Sequence, residues 1–260
     1  MVQNIFQRVE KKYLLNEAQF ESLKRKLADR MQVDAYGLHT IRNVYFDTKD
    51  QLLIRTSLEK PCYKEKFRIR CYGMPDENAQ TFLEIKKKYK GIVYKRRIAM
   101  PYAEAYQYLY EGKNPGLDSQ IFREIDYFKM RYELQPEMYL AYDRLALFGK
   151  EDPEFRVTFD KNIRSRKHDP VLLNDTDTIP LLEKGYHLME VKIAGAVPLW
   201  FAVLLSEEKI YPVSFSKYGN VYLNQLAAGN YRYGTGDALV SSVDAENYAK
   251  QVIPGVLVLA

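Results

Sequence analysis

Cysteine is almost missing from this chain: its 260 residues hold two, Cys62 and Cys71. They form no CxxC pair and no zinc-ligand spacing, which excludes a disulfide framework and a thiolate metal site. Two reduced thiols in a cytoplasmic protein are expected. Tryptophan occurs once, and the three histidines, His39, His168 and His187, are too scattered to make a ligand set. The longest apolar run, Ala196–Leu205, is interrupted by Pro198 and is about half the roughly 20 residues a membrane helix needs. The N-terminus lacks the apolar stretch of a signal peptide. A soluble chain with no direct membrane insertion is therefore expected. Three familiar motifs are also absent: GxxxxGK[ST], GxGxxG and GxSxG. Any handling of phosphate would rest on side-chain cations rather than on a glycine-rich loop at a helix N-terminus.

What is present is an ordinary globular balance, 47% hydrophobic and 28% charged, with 22 tyrosines and a net charge of +5. Tyrosine suits half-buried sheet positions, and the positive balance favours anionic partners. No repeat, low-complexity segment or linker appears. One α+β domain over residues 1–234 with about eight strands is expected, followed by an unassigned tail, 235–260.

Hydrophobic periodicity and turn signals place the elements. Strands are expected at Arg8–Leu15, Ile41–Asp47, Lys64–Tyr72, Thr81–Lys88, Val93–Met100, Met138–Phe148, Phe155–Lys161 and His187–Ile193. Asn16 and Gln19 read as a capping box, opening a helix through Arg30. Pro101 as a first helical position and Gly112 as a cap bracket a second helix. Others are expected at Ser119–Lys129, about Pro198–Ile210, and just after Ser216. Gln51–Lys60 reads as a connection, and Lys90-Gly91 as a hairpin turn.

The strands share a pattern. Side chains alternate faces along a strand, so Arg68 and Arg70 oppose Phe67, Ile69 and Cys71. Glu84, Lys86 and Lys88 oppose Leu83 and Ile85. Arg156, Thr158 and Asp160 oppose Phe155, Val157 and Phe159. Glu190 and Lys192 oppose Met189, Val191 and Ile193. Glu10 and Lys12 share a face, as do Tyr142 and Arg144. For one strand, the plain explanation is a solvated sheet face. Six strands rich in Arg-x-Arg and Glu-x-Lys favour an antiparallel barrel, helices packed outside, whose charged faces line a lumen. Converging cations would repel each other, so a polyanion is implied. Arginine suits bidentate phosphate contact. Glu190, and with it Glu10 and Glu84, are oxygen donors of the kind used for Mg²⁺ or Mn²⁺, or else balance the neighbouring cations.

Eight short pieces occur in order: Glu10-Lys11-Lys12-Tyr13, Tyr45-Phe46-Asp47-Thr48, Arg68-Ile69-Arg70, Glu84-Ile85-Lys86, Tyr142-Asp143-Arg144, Arg156 ahead of Phe159-Asp160, Glu190-Val191-Lys192, and Ser216-Lys217-Tyr218. Together they resemble the triphosphate tunnel metalloenzyme superfamily, in its polyphosphate polymerase branch, the catalytic domain of the vacuolar transporter chaperone complex. The resemblance runs from about Glu10 to Leu226. It implies that Lys12, Arg68, Arg70, Lys86, Arg144, Arg156 and Lys217 ring a tunnel and act on phosphates. It implies that Lys88, Lys95, Lys192, Tyr142 and Ser216 line it, and that Glu190 binds a divalent metal, usually Mn²⁺. The hydrolases of the superfamily open with Glu-x-Glu-x-Lys, where this chain has Arg8, Glu10 and Lys12. The lost carboxylate points to phosphoryl transfer rather than hydrolysis. The expected reaction moves the γ-phosphate of ATP to a growing inorganic polyphosphate, in a stand-alone protein without the membrane anchor of the complex. A triphosphate hydrolase and a non-catalytic polyphosphate-binding module are the alternatives. Nucleic acid is not an expected partner, because the cations sit on inward faces and no recognition helix or RNP motif occurs.

Overall fold

The computed structural model describes residues 9–227. Arg8 and the tail 235–260 lie outside the described residues. In chain order the elements are β1 (Val9–Leu15), α1 (Glu17–Leu27), β2 (Met31–Asp47), α2 (Leu52–Leu58), β3 (Tyr63–Tyr72), β4 (Gln80–Tyr89), β5 (Ile92–Pro101), α3 (Tyr102–Tyr110), α4 (Gln120–Arg131), β6 (Gln135–Gly149), β7 (Arg156–Arg166), β8 (Ile179–Pro180), β9 (His187–Ile193), α5 (Leu199–Glu207) and α6 (Lys217–Ala227). The strand order is β1-β9-β7-β6-β2-β3-β4-β5, with β8 on β7. The pairs β1–β9, β7–β9, β2–β3, β3–β4 and β4–β5 are antiparallel. The fold is α+β, as the sequence suggests. No described helix is long and apolar enough to cross a membrane.

The chain forms two compact units. One comprises residues up to Leu38, Asp143–Ile163 and those from Pro180; the other comprises His39–Tyr142 and Arg164–Ile179. In the first, α1 contributes Phe20, Leu23 and Leu27 and α5 contributes Phe201, Leu204 and Leu205. They join Tyr13, Leu15, Val157, Phe159, Met189, Val191 and Ile193 from the strands in a buried core. In the second, α3 and α4 bring Tyr108, Leu109, Phe122, Ile125 and Phe128 onto Phe67, Ile69, Cys71, Leu83 and Ile85. In each unit the helices cover the apolar parity of the strands, and the charged parity lies on the other face. Both cysteines are free thiols. Cys71 belongs to the second core, where burial pushes its thiol up to about 12.

Local signals explain most boundaries. Asn16 accepts from the Gln19 amide at 2.9 Å, and the Gln19 side chain accepts from the Asn16 amide at 3.2 Å. This reciprocal pair opens α1. Lys90 and Gly91, both at positive φ, form a two-residue loop between β4 and β5, as a hairpin with matching twist requires. Pro101 precedes α3 as its cap rather than serving as its first residue, and Gly112 follows at φ +75°. The segment expected to be a plain connection contains α2 instead. Asp47 at the end of β2 accepts from the amides of Leu53 and Ile54 at 2.8 and 3.0 Å, and Thr48 Oγ1 accepts from that of Leu52. These acceptors satisfy the first amides of a short helix, and Leu53 and Ile54 are buried. β2 also begins ten residues before its expected start, because Gln32–Leu38 is a mostly exposed extension without core alternation.

Substituting Asn16→Ala removes the α1 cap. It is expected to lower unfolding free energy by about 1 kcal/mol, measured by urea denaturation, with no change in the far-UV spectrum of the folded protein.

Candidate functional site

The charged faces can be built row by row from strand register. On β3–β5, directly opposed residues share a face. Lys64 faces Lys88, Lys66 faces Lys86, and Arg68 faces Glu84 across β3–β4; Lys86 faces Lys95 and Glu84 faces Arg97 across β4–β5. With Arg70, these strands carry eight cations on this face and one carboxylate, Glu84.

Glu84 is almost wholly buried and gathers the upper cations. Its Oε2 accepts from Arg68 Nε and Nη2 at 2.9 and 2.7 Å. Its Oε1 lies 2.5 Å from Lys95 Nζ and 3.4 Å from Arg97 Nε. Burial alone would raise its carboxyl, but Arg68, Arg70 and Lys95 outweigh it and hold the group well below the usual carboxylate range. Charge balance thus describes what Glu84 does in this arrangement. Arg68 also donates to the Tyr45 hydroxyl at 3.0 Å. Arg70 donates to Asn43 Oδ1 at 2.8 Å and to the Tyr142 hydroxyl at 3.1 Å. Tyr142 is itself buried, so it orients an arginine.

The lower rows have no such hub. Lys86 and Lys88 have no ion-pair partner among the described residues. Lys64 is lowered by burial first, and then by the like charges of Lys88, Lys86 and Lys60. Opposed like charges destabilise a sheet, so the Lys64–Lys88 and Lys66–Lys86 pairs cost this face some stability.

The first unit carries a second charged face, on β1, β9, β7 and β6. Here Glu10 is opposite Lys192 and Lys12 opposite Glu190 on β1–β9; Arg156 is opposite Lys192 and Thr158 opposite Glu190 on β7–β9. Arg144 grips the fully buried Asp160 with two nitrogens, at 2.6 and 2.7 Å, and reaches Glu190 at 3.4 Å. Lys217 bridges the same two carboxylates, 2.6 Å from Asp160 and 2.8 Å from Glu190. Lys12 lies 3.7 Å from Glu190 and 3.5 Å from Glu10, and donates to the Phe215 carbonyl at 2.8 Å. For Glu190 burial opposes ionisation, but Lys217, Lys12, Arg144 and Lys192 prevail and hold it well below its ordinary value. Arg156 is exposed, and its one contact here is a 3.4 Å hydrogen bond to the Pro153 carbonyl.

Ser216 has a local role: its Oγ accepts from the Gly219 amide at 3.1 Å, while its own amide donates to Asn220 Oδ1 at 3.2 Å. The hydroxyl thereby caps α6, whose first residue is Lys217, and fixes where that ammonium enters the carboxylate pair.

No group of three or more metal-capable side chains occurs among the described residues. Glu190 and Glu10 converge on the Lys12 ammonium, and Asp160 shares Lys217 and Arg144 with Glu190. A pair of carboxylates suits Mg²⁺ or Mn²⁺ held jointly with substrate phosphates, and not a free-standing cage. The residues fit a metal on those terms.

The structure thus brings the expected residues together in two sets. Lys12, Arg144, Arg156, Glu10, Glu190, Lys192, Ser216 and Lys217 belong to the first unit. Arg68, Arg70, Glu84, Lys86, Lys88, Lys95 and Tyr142 belong to the second. Sequence reasoning gave no role to Arg97, although its parity with Lys95 marks it. It also gave none to Asp160, the acceptor that orients Arg144 and Lys217, or to Asn43, which positions Arg70.

Two outcomes follow. Lys88→Gln removes one member of an opposed lysine pair, so ligand-free stability should rise by about 0.5 kcal/mol while affinity for tripolyphosphate falls. Melting and calorimetry on the same variant check both signs. Lys95 is pulled down to about 8, by burial first, with Glu84 opposing and Arg68 and Arg70 reinforcing. Its folded value lies below its unfolded one, so the penalty on its partly desolvated charge is fully present below pH 8. That penalty is relieved as pH rises from 8 towards the unfolded lysine value. An anion needs the charged form. Tripolyphosphate affinity should therefore drop as pH passes 8, with proton uptake on binding, and Lys95→Met should flatten that part of the profile.

The model of the VTC domain family matches residues 7–224. A Bacillus halodurans protein described as a candidate adenylate cyclase shares 16% identity and superposes with a TM-score of 0.51, covering 80% of this chain and 93% of its own. A candidate adenylyl cyclase of Hippeastrum with a dominant triphosphatase activity gives 16%, 0.47, 81% and 93%. PH1819 of Pyrococcus horikoshii gives 11%, 0.44, 84% and 99%. No curated protein matches the chain. With more than four-fifths of its length matched by that model, this chain belongs to the VTC domain family.

Proposed function

We propose that this protein is a metal-dependent phosphotransferase that moves the terminal phosphate of ATP onto inorganic polyphosphate. The observation that carries this is the run of opposed lysines on β3–β5, an arrangement that is unfavourable without a ligand of many closely spaced negative charges. Phosphoryl transfer asks the protein mainly for positioning and charge neutralisation. Arg144, held at two points by Asp160, presents its guanidinium in a fixed orientation. Lys217 and Lys12 are within reach of Glu190. In the second unit Arg68, Arg70, Lys86, Lys88 and Lys95 offer neutralisation to phosphate oxygens, and in the first Arg156 and Lys192 offer the same. Tyr142 and Ser216 act through Arg70 and Lys217. A divalent cation, Mn²⁺ or Mg²⁺, would be held by Glu190 with Glu10 and would supply further neutralisation of the transferring group.

The preference for transfer over hydrolysis rests on Arg8, which replaces a carboxylate of the hydrolytic relatives. Arginine stays charged and cannot ligate a metal.

The test is incubation with ATP and Mn²⁺, followed by a gel stained for polyphosphate. Long chains with release of ADP are expected. Orthophosphate without chains would make the protein a hydrolase, and tight binding without turnover would make it a binding module. Glu190→Gln should abolish turnover. It should leave tripolyphosphate affinity equal or higher, because a competing anion is removed from Lys217, Lys12 and Arg144. Unchanged Mn²⁺-dependent turnover would end the metal role of Glu190.

A further inference from the structure

At one end of the cation rows the chemistry of the face changes. Phe82 lies directly opposite Arg70, and Tyr72 stands two residues beyond Arg70 on the same parity. Both rings therefore sit on the charged face, away from Ile69, Cys71 and Leu83 in the core. They meet edge to face with centroids 5.7 Å apart. Between them reaches Arg97. Its guanidinium carbon is 3.4 Å from the Phe82 centroid and 5.9 Å from that of Tyr72, and its Nη2 donates to the Tyr72 hydroxyl at 3.3 Å. Tyr72 is 44% exposed, so a large ring is presented to solvent at the edge of a face built for anions.

We propose that Tyr72 and the Arg97 guanidinium stacked on Phe82 form a platform for an aromatic nucleobase. This rests on the phosphate-binding function above and gives it a direction: a nucleoside triphosphate lies with its base at this end and its phosphates towards the lysines. Three features carry the inference. Every base has a π-face, and aromatic rings and guanidinium planes both stack on it. From the Phe82 row to the Lys86 row is four residues, about 13 Å at ~3.3 Å per residue, a span that an extended nucleoside triphosphate covers. Arg70 shares the Phe82 row and Arg68 lies in the row between the two ends, opposite Glu84, where the first phosphates would fall. The platform offers stacking rather than a set of base-edge partners, so ATP and GTP should bind alike.

The experiment compares ATP, GTP and tripolyphosphate by calorimetry on wild type, Tyr72→Ala and Tyr72→Phe, with melting curves as a check on folding. Tyr72→Ala should weaken ATP and GTP by roughly tenfold and leave tripolyphosphate within about twofold, while Tyr72→Phe should restore nucleotide affinity. An equal loss for all three ligands would overturn the platform, as would no loss for the nucleotides, and either result leaves the phosphate function standing. Wild type that fails to bind tripolyphosphate at all would overturn both.

Discussion

Repulsion between like charges is the constraint on which this structure turns. Lysines placed directly across from lysines on neighbouring strands cannot move apart, because backbone hydrogen bonds fix their spacing. The protein manages the resulting field unevenly. Around Arg68, Lys95 and Arg97 a single buried carboxylate, Glu84, absorbs three cations and is itself kept ionised by them. Around Lys217 and Arg144 two carboxylates do so, and Asp160 is buried completely. At Lys86 and Lys88 nothing comparable is provided. Partial compensation of this kind keeps a chain foldable while leaving some of its positive field uncancelled.

The apolar parity supplies the stability that tolerates this arrangement. Phe67, Ile69, Leu83 and Ile85 alternate with the cations residue by residue and are covered by α3 and α4. Tyr13, Val157, Phe159, Met189 and Val191 do the same under α1 and α5. Hydrophobic burial on one side of a strand is insensitive to charge on the other, so two demands that conflict in three dimensions are separated by the simple alternation of a β-strand.

That alternation also decides how much could be read in advance. A period of two is written directly into the sequence, so the charged faces, the apolar faces and nearly all strands were legible, as was the Asn16–Gln19 cap. What escaped depends on partners distant in sequence or on short-range capping without periodicity. α2 is seven residues, about two turns, too short to show a helical pattern, and exists because Asp47 and Thr48 accept its first amides. Ser216 is expected as a phosphate contact by motif, and that its hydroxyl also caps α6 is visible only from the Gly219 amide it accepts from. Asp160 carries the same parity as Arg156, but its value lies in meeting Arg144 and Lys217 from other elements, which no spacing along β7 can disclose. Arg97 is within reach of the parity rule, although Arg96 beside it places a cation on the opposite face and blurs the alternation.

The lysine rows on β3–β5 have a kinetic corollary. Two successive rows, Lys64–Lys88 and Lys66–Lys86–Lys95, present the same kind of cation one pleat repeat apart. A long flexible anion laid along them would meet an equivalent environment after each step of one row. Between two such like rows neither register is strongly preferred, so the barrier from one to the other is low even where total attraction is high. Firm retention and easy creep are then compatible, as for a bead string in a grooved rail. The next row differs, because Glu84 stands there among Arg68, Lys95 and Arg97.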